Sequence, residues 1–323
     1  VKNSRALVAV TASLLAVCSV TACSSDSAAG ADGDTVVKVG TLKGQPHLYA
    51  PYFYEANAPE GVTFEVITFD SSPDIKNAVV SGSIDFGVAG VPSAISGSSA
   101  GQDVVVVAAA ADGGSGLIGK AGLDGVESLK GLKVGYPKGS SQEILLRMTL
   151  EAAGMDADSD VELVNLPFSD MASALAAGRI DAFSSAELGP STALQGDAVS
   201  VASPYETPVG KVNIGLYTTG ATIAEDPELV QEVVDTHIAA TEHMVADPEA
   251  WAAGVVETFG IDRAVVDTAI TNIWPRWQID AEYTGQVSAL IEQMHGLKQI
   301  ESEPDVAALI NTTFVEAHAA ATS

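Results

Sequence analysis

The residues best placed to do chemistry are serines, carboxylates and one arginine, each close to a glycine or a proline. Ser140-Ser141-Gln142-Glu143 directly follows Lys138-Gly139. Ser140 at an N-cap with Glu143 three residues later is a capping box that opens a helix. The free N–H groups and partial positive charge of such a helix start also attract an anionic or accepting end of a ligand. Gly90-Val91-Pro92-Ser93 is the corresponding turn after an earlier strand, with Pro92 suited to a helix start and Ser93 offering a hydroxyl. In Gly44-Gln45-Pro46-His47, Gln45 brings both a donor and an acceptor, and His47 is either a ligand contact or a solvated loop residue. Glu187, within Ser184-Ser185-Ala186-Glu187-Leu188-Gly189-Pro190, is a carboxylate that would attract an amine and repel an anion. Trp274-Pro275-Arg276-Trp277 sets a guanidinium between two indoles. It is either a partner for an acidic ligand group or a snorkelling arginine in a helix-end packing cluster.

Other chemistries find no support. His237, His243, His295 and His318 fall in helical stretches with no second metal-ligating residue nearby, so they read as packed or surface histidines and no metal is expected. Asp85 and Asp181 both start strands just after a glycine, which points to a turn role rather than catalysis. There is no G-x-S-x-G elbow, no H-E-x-x-H and no phosphate-binding P-loop, so neither an enzyme nor a cofactor is expected. Both cysteines, Cys18 and Cys23, lie near the start, which excludes a disulfide scaffold or a thiol nucleophile in the body.

The elements that must position these residues come in two copies. K-V-G-T-L-K-G at 38–44 is echoed by K-V-G-Y-P-K-G at 133–139, and Gly82-Ser83-Ile84-Asp85-Phe86 by Gly178-Arg179-Ile180-Asp181-Ala182. Glu65-Val66-Ile67 matches Glu162-Leu163-Val164, and Asp74 matches Asp170, in the same order and at nearly the same offset. Each copy alternates short apolar strands with helices, as two βαβαβ units do. Ligands of open α/β sheets sit beyond the carboxyl ends of the strands, where the glycine loops lie, so two facing units enclose a cleft. Val104 to Ala111 reads as a buried strand, with Leu117 to Lys120 running back along it, and Lys211 to Thr218 as a strand returning from the second unit. Helices follow at 229–244, 248–259, 262–272, 281–296 and 305–319. The chain is expected to cross between units near 120–128 and 207–213.

Residues 1–22 read as an export signal: Lys2 and Arg5, then the apolar run from Ala6 to Val17, too short to span a bilayer as a stable helix. Val20-Thr21-Ala22-Cys23 resembles the lipobox of bacterial lipoproteins, which implies cleavage before Cys23, a lipid on its sulfur and an extracytoplasmic, membrane-anchored product. Residues 23–34 are Ser, Ala, Gly and Asp after the cysteine, as a flexible tether is. The chain carries a net charge of −27, and losing Lys2 and Arg5 with the signal deepens it to −29. Such an acidic body is no partner for nucleic acid, which needs clustered Lys and Arg, and it favours a soluble monomer.

Beyond these features, K-V-G-x-x-K-G, S-G-S-I-D-F-G-V-A-G, S-L-K-G-L-K-V-G-Y-P-K-G-S-S and A-A-G-R-I-D-A together resemble the substrate-binding proteins of bacterial ABC transporters, in the nitrate/sulfonate/taurine-binding group that also holds thiamine-pyrimidine binders. The resemblance implies a two-lobed, type II periplasmic-binding-protein-like α/β fold, each lobe an open, mostly parallel sheet flanked by helices. The lobes are expected at 35–122 plus 212–323 and at 123–211. It further implies a small polar ligand, sulfonate- or taurine-like or pyrimidine-like, held by Gln45, His47, Ser93, Ser140, Ser141, Glu187 and Arg276, and permease and ATPase subunits as partners. One departure is plain: the aromatic of the W-D-P-type stretch common in sulfonate and taurine binders is missing around Glu187. Ligand sensors and some enzymes, of the thiamine-pyrimidine or menaquinone pathway type, share the fold. The synthases among them use a cysteine-rich stretch, and no cysteine follows Cys23 here.

Overall fold

A computed structural model describes residues 34–322. The expected signal segment and Cys23 lie outside the described residues. The first unit comprises β1 (Thr35–Leu42), short 3-10 turns at Pro46–Leu48, Ala50–Phe53 and Glu55–Asn57, β2 (Val62–Phe69), α1 (Ser72–Val80), β3 (Phe86–Gly90) and α2 (Val91–Ser99). Next come β4 (Val105–Gly113) and β5 (Ser115–Gly119). The second unit comprises β6 (Lys133–Tyr136), α3 (Ser141–Ala152), β7 (Glu162–Asn165), α4 (Met171–Ala176), β8 (Ala182–Ala186), α5 (Gly189–Ala193) and β9 (Val199–Ala202). The chain then forms β10 (Val212–Thr218), α6 (Gly220–Glu225), α7 (Pro227–Ala246), α8 (Pro248–Phe259), α9 (Arg263–Ile270), β11 (Ile273–Pro275), α10 (Ala281–Gly296), α11 (Val306–Leu309) and α12 (Thr313–Thr322).

The strands make two sheets, ordered β11-β4-β10-β3-β1-β2 and β7-β6-β8-β5-β9. In the first, β1 pairs in parallel with β2 and β3; in the second, β6 does the same with β7 and β8. The sequence repeat is therefore a structural repeat, and local chemistry shows why. Gly82 and Gly178 take positive φ, of 71° and 66°, where α1 and α4 end, a conformation that favours glycine. Three residues later, the Asp85 carboxylate accepts from Lys38 N (2.7 Å) and the Asp181 carboxylate from Lys133 N (3.0 Å). Each aspartate ties its strand to the start of the neighbouring one, the turn role expected of them.

Two expectations are corrected. Leu117 to Lys120 does not run back along β4: β5 pairs antiparallel with β8 and β9 in the second sheet. The reason lies at Gly113 and Gly114, whose φ values of 78° and 69° redirect the chain from one sheet to the other without a reversal. The first crossing therefore falls at 113–115 rather than 120–128, and strand 115–119, expected in the lobe 35–122, belongs to the second sheet with the stretch 123–211. The return crossing lies between Ala202 and Val212, and β10 inserts antiparallel between β3 and β4. The crossings lie side by side, with Gly113 N donating to Lys211 O (2.8 Å) and Asn213 Nδ2 to Gly113 O (2.6 Å). The second correction is at the end of the chain. The helix expected at 305–319 is broken into α11 and α12, because Ile310 bridges to Val106 and Asn311 N donates to Val106 O (2.9 Å).

The first sheet is buried among its helices in one large apolar core, and the second has a smaller core on each face. Helix α3 belongs to both. Leu146 and Leu150 face the second sheet, while Ile144, Leu145 and Met148 join the core of the first, where α3 meets α10. On the other flank α5 packs against α9, and there the bridging group is polar: Gln195 Nε2 donates to Thr268 Oγ1 (3.1 Å).

Candidate functional site

Ser140 caps α3 as expected, but the return bond of the capping box goes to Gly139 N rather than to Ser140 N. Ser140 Oγ accepts from Glu143 N (3.3 Å) and donates to Pro137 O (2.6 Å). Glu143 reaches back past Ser140, and its Oε2 accepts from Gly139 N (2.7 Å) and from Gln299 Nε2 (3.0 Å). The α3 start thus holds a carboxylate of its own. Ser141 and Gln142, in the first turn, are buried, and Gln142 Nε2 donates to Ser115 Oγ (2.9 Å) just past the Gly113-Gly114 crossing.

His47 is not a solvated loop residue. Pro46 opens a 3-10 turn that buries it to 4% exposure, with its ring against Gly114: a Cβ on that glycine would lie 3.2 Å from the ring. Burial lowers its pKa to about 3, so the ring is neutral, and its Nδ1 is buried without a hydrogen-bond partner. Gln45, beside it, has Oε1 in the same condition.

Glu187 follows β8 and is 2% exposed. Its Oε2 accepts from Ser191 Oγ (2.6 Å) and Ser191 N (3.2 Å), and its Oε1 from Asn272 Nδ2 (3.0 Å), which reaches over from the first-sheet side. Burial raises the Glu187 pKa, against the pull of those donors. Its backbone N donates to Gly114 O (2.8 Å). Tyr205 completes the network: its hydroxyl accepts from Ser115 N (2.9 Å), and its single proton lies between Ser115 O (2.8 Å) and Asn272 Oδ1 (3.0 Å). Beside this network a cavity of about 260 Å³ opens between the β5–β9 edge, α5 and the end of α9.

His47, Gln142 (with Ser141 preceding it) and Glu187 therefore converge on Gly114-Ser115. Three other expected residues do not join them: Ser140, whose hydroxyl is taken up by Pro137 O and Glu143 N, and Ser93 and Arg276. Ser93 Oγ donates to Gly90 O (2.7 Å) and lies 3.2 Å from Tyr217 OH, inside the first unit. Arg276 follows β11, which pairs with β4, rather than ending a helix; it is held by Asp112 (2.9 Å) and Asp280 (3.0 Å). Ser115, Tyr205, Ser191 and Asn272 escaped the sequence reading. The double glycine before Ser115 was the available signal; the other three sit in no motif.

Comparison with known proteins sets this geometry in context. The family profile described as NMT1/THI5 like matches residues 52–251. The chain belongs to the NMT1/THI5-like family. A binding protein of Brucella abortus (strain 2308) is 27% identical over 215 residues, 66% of this chain and 67% of that one. Among solved structures, the alkanesulfonate-binding protein of Xanthomonas axonopodis pv. citri, bound to MOPS, is similar with TM-score 0.74 and 21% identity, over 86% of this chain and 98% of its own. The periplasmic nitrate-binding protein of Synechocystis PCC 6803 gives TM-score 0.73 and 15% identity, over 89% of each chain. At such identities the likeness speaks for the fold: two sheets of the periplasmic-binding-protein type II arrangement. In this NMT1/THI5-like chain the groups at the junction are hydroxyls, amides, a neutral imidazole and one hydrogen-bonded carboxylate, equipped to hold a polar molecule by hydrogen bonds.

Proposed function

We propose that this protein is the extracytoplasmic solute-binding component of an ABC importer, which takes up a small polar organic molecule between its two lobes and closes on it. The observation that carries this reading is the convergence of His47 from the 3-10 turn after β1, Gln142 from the first turn of α3 and Glu187 after β8 on the crossing at Gly114-Ser115. A rotation about the crossings separates groups contributed by the first sheet from those contributed by the second, as hinge closure requires. The alkanesulfonate and nitrate named for the structural relatives, with taurine and pyrimidines, set the starting range of solutes.

In this reading a permease and an ATPase are the partners, Cys23 carries a lipid anchor, and the protein acts as a monomer at the outer face of the membrane. Among the described residues no helix is long and apolar enough to cross a membrane. Small-angle scattering with and without solute tests closure: the radius of gyration falls on binding, and an unchanged radius with a bound solute contradicts the hinge. Replacing Cys23→Ala tests the anchor by releasing the protein into the medium; retention on the membrane refutes it.

A further inference from the structure

We infer that the solute is a small organic amine and not a sulfonate, carboxylate or other anion. This inference rests on the solute-binding reading above and narrows it to a chemical class. Three groups suited to an anion are each engaged or uncharged within the protein. Beside the α3 start the buried Glu143 carboxylate, paired with Arg147 (3.2 Å), accepts from Gly139 N just ahead of the N-cap, so an oxyanion approaching the helix start meets a negative group. Arg276 is shared between Asp112 and Asp280. His47, buried and neutral, offers no charge.

The cavity points the same way. Its walls include Ser115, Glu187, Ser191, Tyr205, Thr271 and Asn272, with apolar surface from Ile118 and Leu194, and no Lys, Arg or His among the described residues lines it. A carboxylate has about four acceptor positions, and Glu187 uses three, two for Ser191 and one for Asn272. The fourth accepts an ammonium or neutral amine N–H, and the Tyr205 hydroxyl and Ser115 carbonyl stand close by, both bonded to Asn272. The volume of about 260 Å³ is the space of roughly nine waters, which fits a short amine. At longer range the net charge of −29 on the exported body draws cations and repels anions.

The test uses matched probes on the n-butyl and benzyl skeletons, each as amine, alcohol and sulfonate, with taurine beside them. Affinity is read by calorimetry and by the rise in Tm, which follows ligand occupancy. At pH 7.5 the amines are expected to bind at least tenfold more tightly than the sulfonates, with the alcohols between. Two further readouts tie the preference to the cavity. In Glu187→Gln it disappears. In the unaltered protein it shrinks as the pH is lowered below 7.5, because burial raises the Glu187 pKa and a protonated carboxyl no longer pairs with an ammonium. Tyr205 faces the same carboxylate, but burial pushes its own pKa up, so it stays neutral across that range. Sulfonates or taurine binding as tightly as the amines, or no response to any amine, overturns the inference. If such an anion compacts the protein in scattering, the solute-binding reading stands without the amine; no compaction with any solute ends that reading separately.

Discussion

The two flanks of the junction are built from different materials. On one flank α3 leaves Ile144, Leu145 and Met148 in the core of the first sheet, which α10 shares through Val287, Leu290, Ile291 and Met294. On the other, α5 meets α9 beside an open cavity, and the bridging groups are Gln195, Thr268, Asn272 and Glu187. Water replaces a hydrogen bond at little net cost, but exposing a buried aliphatic side chain costs about 1.5–3 kcal/mol each. Motion between the lobes is therefore expected to pivot on the α3–α10 flank and to open at the α5–α9 flank, so that solute enters over α5.

The largest effect tests the pivot. Ile144 is fully buried, and Ile144→Ala is expected to cost about 3 kcal/mol of stability in urea unfolding, from lost transfer energy and the cavity left behind. If α3 is only a loosely seated part of the second unit, the loss falls below about 1 kcal/mol, outside the range of buried large-to-small changes.

Acid separates the junction from the first core. His47 lies at the junction and His237 inside the first core, where Tyr54 OH donates to its Nδ1 and its Nε2 donates to Ala109 O. Burial lowers their pKa values to about 3 and about 4, from 6.5. The unfolded chain takes up protons below 6.5 while the folded ring does not, so stability from each is full above pH 6.5 and is lost progressively as pH falls from 6.5 toward the folded value. At pH 5 each costs about 2 kcal/mol relative to neutral pH. His47→Gln is expected to remove about half of the two-histidine drop, measured by urea unfolding at pH 7.5 and 5. An unchanged pH dependence means that the junction admits water to His47.

How much of this was readable from the sequence depends on the range of the interaction. The half-repeats were legible because Gly82, Gly178, Asp85 and Asp181 act on their own strand or its neighbour through the backbone. Leu117 to Lys120 was legible as a strand but not as a member of the second sheet, since an apolar run records burial and not its partner. Glu187 was legible as a carboxylate at the right strand end. Its neutral setting was not, because Asn272 approaches across the junction and carries no motif. The same holds for Arg276: the guanidinium was visible, but its use by Asp112 follows from the pairing of β11 with β4, which a three-residue strand does not announce.

A smaller effect sharpens the polar flank. Tyr205 OH bonds both Ser115 N and, with its one proton, Ser115 O or Asn272. Tyr205→Phe leaves Ser115 N short of its acceptor at a buried site and is expected to cost about 1–2 kcal/mol in unfolding. Its mark on hydrogen exchange should be local, with faster exchange at Ser115 than at Ile144. Equal acceleration at both positions would join the two flanks into one rigid unit.

The smallest effect is the most telling for the comparison. Gln195 Nε2 donates to Thr268 Oγ1 (3.1 Å) across the opening flank, and Thr268 Oγ1 in turn donates to Ala264 O (2.9 Å) within α9. Both side chains reach solvent, so in Gln195→Ala water takes the vacated position and unfolding stability is expected to change by less than about 0.5 kcal/mol. The same bond must break each time the α5–α9 flank opens, while the α3–α10 contact stays closed. Gln195→Ala should therefore leave Tm almost unchanged and raise the radius of gyration of the solute-free protein in scattering, because the open form gains population. A global loss of stability would show that this flank is part of the core, and an unchanged radius would place the opening elsewhere than over α5.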